Sequence, residues 1–328
     1  MVFLFDNGNT IIGDIMKIRF GYVAISQALD LTSSSNVTYA EFKKTNNYDK
    51  IDNVIKSNLE ALIGILKYNI KNNIHFYRLT SKLIPLATHK EVTFDYLKKY
   101  EKYYKQISTL INDNNMRIDV HPDQFCVLNS TNKEVINNSI GILKYHINIL
   151  ECLKINNPII VLHVGSSVFG KEKSIQRFIN TFNKLPINIQ KSIALENDDK
   201  VFNAEDVLNL CQKLNIPFVF DYHHHKCNPC DNIEKLIPKI LDTWKEINPK
   251  MHLSSSKGKT KKDFRSHSDY IIYNDFNDLL KLIKPYNKDI DIMIEAKAKD
   301  DAIFRLIRQI KYNADYKFID ETSFIIEK

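Results

Sequence analysis

A rhythm in the chain constrains its fold more than any single motif. Eight short, apolar, β-branched segments, at 18–25, 74–80, 116–121, 158–164, 192–197, 217–221, 250–254 and 290–295, alternate with longer stretches of helical period. Runs such as Ile159-Ile160-Val161-Leu162 and Phe218-Val219-Phe220 have no polar face, which suits parallel strands covered on both sides. Between the runs, Ile51, Ile55, Leu59, Leu62 and Leu66 form one helical stripe, and Ile136, Ile140, Leu143, Ile147 and Leu150 form another. Thr131 with Glu134, and Asp231 with Glu234, read as helix-opening caps. A last helix is expected from Asp300, with Ile303, Leu306, Ile307 and Ile310 facing inward. Eight strands, each followed by a helix, predict an α/β chain forming a single (β/α)8 TIM barrel. The barrel is expected over 16–328, with 1–15 as an added arm or an upstream start. An open doubly wound sheet is the other arrangement such alternation allows, but no glycine-rich phosphate-binding motif follows the first strand.

Composition narrows the class. The 328 residues are 44% hydrophobic and 26% charged, with only five cysteines, so neither a disordered chain nor a disulfide scaffold is expected. No apolar run reaches the ~18 residues of a membrane helix, and residues 1–9 lack the pattern of a signal peptide. A cytoplasmic protein without membrane partners is expected. Lys and Arg exceed Asp and Glu by 46 to 39, a net charge of +7 that mildly favours a nucleic-acid or phosphate partner.

Active sites of such barrels lie at the C-terminal ends of the strands. There the sequence places His121, His163, Glu196 beside Asn197, Asp221 followed by His223, His224 and His225, then His252 and Glu295. A single histidine at a strand end is usually an ordinary polar residue. Six successive strands delivering His, Asp or Glu to one rim is a different matter, because such a crowd is costly to bury without cations. A mixed nitrogen and oxygen donor set without thiolate suits Mn, Zn or Fe. More than four donors implies more than one ion, and paired ions suit in-line phosphodiester hydrolysis. Sugar isomerisation is the competing chemistry on these residues alone. Cys227-Asn228-Pro229-Cys230 is a lone C-x-x-C and a weak signal for metal or redox chemistry.

Two loops bear on the substrate. After the seventh strand, Lys257, Lys259, Lys261, Lys262 and Arg265 would suit a phosphate backbone, although basic loops are commonly just solvated. After the third strand comes His121-Pro122-Asp123-Gln124-Phe125, from which Gln124 and Phe125 either project as a wedge and base-edge contact or pack back on the barrel.

At these residues the sequence resembles the UV damage endonuclease family. The matching segments are Arg19-Phe20-Gly21-Tyr22, Tyr77-Arg78-Leu79-Thr80-Ser81, His121-Pro122-Asp123-Gln124-Phe125, Leu162-His163-Val164-Gly165, Leu195-Glu196-Asn197-Asp198, Asp221-Tyr222-His223-His224-His225, Lys250-Met251-His252-Leu253-Ser254-Ser255 and Ile294-Glu295-Ala296-Lys297. The endonuclease IV type of abasic-site enzyme shares the barrel, but the histidine run and the Gln-Phe loop favour the UV damage family. The resemblance implies a DNA repair endonuclease that nicks immediately 5′ to pyrimidine dimers and 6-4 photoproducts, leaving a 3′-hydroxyl and a 5′-phosphate. It would act on double-stranded DNA as a monomer associated with the nucleoid.

The implied cofactor is Mn2+, two or three ions, with Zn2+ or Mg2+ as substitutes. The implied metal-binding residues are His89, His121, His163, Glu196, Asp221, His224, His252, His267 and Glu295, with Glu196, Lys250, His252 and Glu295 catalytic. We expect Glu196 to bridge two ions, His121 and His163 on one side and Asp221, His252 and Glu295 on the other, leaving His224 and His267 for a third. Lys250 shares a strand face with His252, where a cation would be repelled by metals, so carboxylation of its amine is expected. Gln124 and Phe125 match the lesion-sensing pair, and Tyr22 is expected to stack near damaged nucleotides. Asp123 departs from the family's usual small residue, and its charge would oppose a DNA backbone. Because histidines ligate when neutral, activity is expected to fall as pH drops through about 6.5.

Overall fold

A computed structural model describes residues 5–6, 9–10 and 15–327. It contains the expected closed barrel. The strands are β1 (Ile15–Val23), β2 (Phe76–Leu79), β3 (Arg117–Val120), β4 (Ile159–His163), β5 (Ile193–Glu196), β6 (Phe218–Asp221), β7 (Lys250–Leu253) and β8 (Ile290–Ile294). Each pairs in parallel with the next, and β8 returns to β1 with Ile290 opposite Ile18 and Ile294 opposite Tyr22. Gly21 permits one tight place in this ring: a Cβ there would lie 2.3 Å from the carbonyl oxygen of Phe76.

The helices match their apolar stripes. Tyr48–Lys71 buries Ile51, Ile55, Leu59, Leu62 and Leu66, and Lys299–Asn313 buries Ile303, Leu306, Ile307 and Ile310. The caps differ from expectation. Helix Lys133–Cys152 is capped by Asn132, whose side chain accepts from the Glu134 N–H at 2.8 Å, so Thr131 lies one residue too early. Helix Ile233–Asp242 starts from Asn232 in the left-handed region without a side-chain cap, and Asp231 plays no such part.

Two further strands escaped the sequence reading: β9 (Lys317–Phe318) and β10 (Ser323–Glu327). β10 runs antiparallel along the lower half of β1, Ser323 opposite Arg19 and Glu327 opposite Ile15. This explains why β1 is nine residues long and begins at Ile15. One of its edges serves β8, while the other is divided between β10 below and β2 above. Most of the expected arm at 1–15 lies outside the described residues; within it, Phe5–Asp6 pairs with Asn9–Thr10.

Residue parity along the strands sorts the barrel into two faces. Ile18, Phe20 and Tyr22 face the helices. Arg19, two residues on from Lys17, faces the interior, where it meets Asp291 of β8. Arg19 Nε lies 2.5 Å from Asp291 Oδ1, and Arg117 Nη1 of β3 lies 2.7 Å from Asp291 Oδ2. Above them, Asp119 of β3 pairs with Lys250 of β7 and lies 3.5 Å from Arg78 of β2. The opposite wall is apolar: Ile159, Val161, Ala194 and Val219 pack on Trp244, whose indole N–H donates to the Phe218 carbonyl at 2.7 Å.

Asp291 therefore holds two arginines at the barrel floor. Burial opposes its ionisation, but Arg117 and Arg19 outweigh burial and lower its pKa. Asp291→Ala is expected to cost about 3–5 kcal/mol, because it strands two cations. Urea denaturation of the variant would measure it. Since the folded pKa is depressed, the contribution is present above about pH 4 and is lost as pH falls through the folded value.

Candidate active site

The strand register brings the rim together. His163 ends β4 opposite Glu196 of β5, and Asp221 ends β6 opposite His252 of β7. His121 follows β3 and Glu295 follows β8. His224 arrives by another route. Asp221 caps the short helix Tyr222–Cys227, its carboxylate accepting from the His224 N–H at 2.7 Å, and this turn swings the imidazole back over the rim.

Glu196 sits at the centre, 1% exposed. His121 Nε2 lies 2.9 Å from its Oε2, with His163 Nε2 at 3.9 Å. His224 Nδ1 and His252 Nδ1 each lie 3.1 Å from its Oε1. His252 Nδ1 also lies 3.2 Å from Glu295 Oε1. Three groups with converging donor atoms result: His121, His163 and Glu196; Glu196, Asp221 and His224; Asp221, His252 and Glu295. Glu196 belongs to two of them and Asp221 to two. Asp221 Oδ2 and His163 Nδ1 are buried without hydrogen-bond partners, and His252 Nδ1 lies close to two carboxylates without hydrogen-bond geometry to either. Orphaned nitrogen and oxygen donors around shared carboxylates fit divalent cations.

The charges explain the shape. Burial alone would raise the Glu196 carboxyl, but His252, His163, His121 and His224 outweigh it and hold it well below the usual range. Glu295 is likewise lowered against burial, chiefly by Arg78 and then His252. Asp221 has fewer favourable neighbours: burial pushes it up to about 8, opposed by His224 and reinforced by Glu196 and Glu295. Burial lowers His252 to about 4 and lowers His163, whereas Asp221 and Glu196 overcome burial to raise His224. An acid limit near pH 6.5 therefore does not follow from His252 or His163, which stay neutral further down.

Several expected roles change. Tyr22 is fully buried on the outer face of β1, its hydroxyl donating to Asn69 Oδ1 at 2.7 Å, so it has no surface for stacking on a nucleotide. His89 stacks on Tyr39 with ring centroids 3.8 Å apart and stands outside all three donor groups. It instead lines a cavity of about 660 Å³ shared with Phe125. His267 Nδ1 lies 4.0 Å from Glu295 Oε2 and joins none of the groups, while its ring centroid is 6.3 Å from that of His224, which itself groups with Glu196 and Asp221. Lys250 is buried below the rim against Asp119, and that carboxylate removes the reason for expecting an anionic, carboxylated lysine. Burial lowers its amine to about 7, with Asp119 opposing. Cys227 and Cys230 are free thiols outside the donor groups, Cys227 Sγ lying 3.8 Å from His223 Nε2.

The loops face outward. Gln124 is exposed, and Phe125 is 69% exposed rather than folded back. Asp123 shapes that tip: its Oδ1 accepts from the Phe125 N–H at 3.0 Å. Lys257, Lys259, Lys261 and Lys262 are exposed, and Arg265 is half-buried, 3.7 Å from Asp199. Two supporting residues had no role in the sequence reading. Arg78 donates to Glu295 Oε1 at 2.6 Å, and its Nη2 lies 2.6 Å from His252 Nε2. Asn197 clasps the Asp221 backbone, accepting from its N–H at 2.8 Å and donating to its carbonyl at 3.0 Å. A buried-strand arginine and an asparagine beside a rim carboxylate were the available signals.

A barrel with a closed rim of imidazoles and carboxylates defines an enzyme of the (β/α)8 class. The family model described as UV-endonuclease UvdE matches residues 18–323, and the chain belongs to that family. It is an endonuclease of DNA repair. A UV DNA damage endonuclease of Bacillus cereus (strain B4264) is 43% identical over 303 residues, 90% of this chain and 95% of that one. A namesake from Bacillus thuringiensis subsp. konkukian (strain 97-27) is 42% identical over the same shares. The crystal structure of SacUVDE superposes with a TM-score of 0.81 at 33% identity, over 90% of this chain and 98% of that one. Endonuclease IV from Thermus thermophilus shares the fold, with a TM-score of 0.56 at 12% identity, over 90% of this chain and 100% of that one.

The geometry separates Glu196 from His267. Divalent metal counted per chain after dialysis should fall by at least one ion in Glu196→Gln and stay at the wild-type count in His267→Ala. Equal loss from the two variants would contradict the arrangement around Glu196.

Proposed function

We propose that the protein cuts one strand of duplex DNA immediately 5′ to UV photoproducts, leaving a 3′-hydroxyl and a 5′-phosphate. The observation that carries this reading is Glu196, shared between donor groups at the centre of a rim whose neighbouring loop holds Gln124 and Phe125 in solvent. His121, His163, Glu196, Asp221, His224, His252 and Glu295 would hold two or three divalent ions. A nitrogen and oxygen set without thiolate suits Mn, Zn or Fe, and the resemblance to the UV damage endonucleases favours manganese among them. Bound divalent ions lower the pKa of water and neutralise charge on a phosphate under attack.

The chain's own groups do the rest. Lys257, Lys259, Lys261, Lys262 and Arg265 hold the phosphate backbone across the rim. Phe125 enters the base stack and Gln124 meets the exposed base edges. A photoproduct is already poorly stacked, so opening the duplex there costs less than opening normal DNA, and selectivity follows without sequence readout. An exposed aromatic tip beside the rim favours this substrate over an abasic site or a sugar. The protein acts as a monomer on the nucleoid in the cytoplasm. Among the described residues no helix is long and apolar enough to cross a membrane.

Three end-labelled duplexes with Mn2+ test the proposal: one with a pyrimidine dimer, one with an abasic site, one undamaged. A cut directly 5′ to the dimer, lost in EDTA and absent from the undamaged duplex, is expected. Cutting only at the abasic site would overturn the photoproduct reading. Phe125→Ala should lower kcat/KM on the dimer by the ~1–3 kcal/mol of one lost stacking contact, roughly five- to 150-fold.

A further inference from the structure

The loop that follows β4 carries a second apolar tip. Val168 is 45% exposed and Phe169 is 72% exposed, more than Phe125. Phe169 has φ +66°, a left-handed backbone that a bulky side chain rarely adopts. Such a conformation persists only where surrounding contacts impose it.

Those contacts are present. Gly165, at φ +104°, leaves β4 so close to Asn129 that a Cβ would fall 2.8 Å from its Oδ1. Asn129 then clasps Ser166, accepting from its N–H at 2.8 Å and donating to its carbonyl at 2.7 Å. Arg177 donates to the Asn129 carbonyl at 2.8 Å and to the Val168 carbonyl at 2.6 Å, and Ser174 Oγ donates to the same Val168 carbonyl at 3.1 Å. The backbone is thus firmly held, while Phe169 stands mostly in solvent and Val168 about half so. The loop also borders the site. Ser166 and Gly165 line a cavity of about 330 Å³ together with Gln124, His121 and His163.

We propose that Phe169, with Val168, is a second apolar contact for DNA. Its ring seats against the base or deoxyribose surface flanking the lesion, so that the opened duplex is gripped by tips on two neighbouring loops. Duplex DNA is the occupant because the tip's loop shares a cavity with the lesion-sensing loop and two metal-site histidines. This inference rests on the photoproduct reading above.

Wild-type protein is first tested for nicking at a dimer; absence of nicking removes the underlying reading. Where nicking occurs, Phe169→Asn, Phe169→Ala and Phe169→Trp are compared by KM, kcat and Tm. Losing one ring contact should raise KM about tenfold in the Asn and Ala variants, with kcat within about twofold, and Trp should keep the wild-type KM. Asn accepts the left-handed backbone, so its Tm should equal or exceed that of wild type. An unchanged KM in the Asn and Ala variants would overturn the inference while leaving the photoproduct reading intact. A raised KM accompanied by a lowered Tm in Phe169→Asn would also overturn it, since the ring would then be supporting the fold.

Discussion

The Glu196 carboxylate is buried with the imidazoles of His121, His224 and His252 within 2.9–3.1 Å of its oxygens. An isolated buried carboxylate costs several kcal/mol, so this one exists only because donors from other segments of the rim converge on it. The same crowding sets its neighbours apart. Glu196 is driven toward ionisation by the histidines, while burial, reinforced by Glu196 and Glu295 and opposed by His224, drives Asp221 toward retaining its proton. A cation arriving between them would compete with that proton, which couples occupancy of the rim to pH. The strands matter because they fix these positions before any ligand arrives. His163 faces Glu196 and Asp221 faces His252 by sheet register alone.

Beneath the rim the interior continues the same electrostatic logic. Arg78 touches Glu295 and His252 above and lies near Asp119 below, and Asp119 in turn holds Lys250. One layer lower, Asp291 holds Arg19 and Arg117. Barrel interiors are usually filled with branched aliphatic side chains. Here one wall is a column of alternating charges, and the β4–β6 wall is aliphatic around Trp244. Arg78 is the link that makes the column one system: it gives Glu295 a permanent counter-charge, so the floor of the site keeps its shape independently of cations.

Strand periodicity carried the barrel because the short apolar runs recur eight times and the helical stripes between them are regular. All eight strands and the histidine and carboxylate rim were legible for that reason. Parity was the signal left unused. Lys17 and Arg19, two residues apart in β1, mark the interior face, and that places Tyr22 on the opposite one, against Asn69. His89 and His267 show a second limit. Both lie on loops, where residue type reports nothing about distance, and both fall short of the converging donors that strand-end residues reach through register. β10 was invisible for a different reason: its pairing with β1 joins opposite ends of the chain and breaks the strand–helix rhythm that marked the others.

Asp123 shows how an unfavourable charge becomes tolerable. An acid on a loop proposed to meet DNA should repel phosphate, yet its carboxylate is engaged by the Phe125 N–H and so defines the turn that projects the ring. On the next loop, Phe169 is projected instead by a left-handed backbone held through Asn129 and Arg177. Side-chain acceptor and constrained backbone are two physical routes to the same end, an apolar side chain kept in water at the edge of a charged rim. Exposed aromatic surface opposes solubility and gains nothing for the fold. Its presence on two adjacent loops, each with dedicated supports, places the purpose of both loops outside the protein's own stability, in what the rim receives.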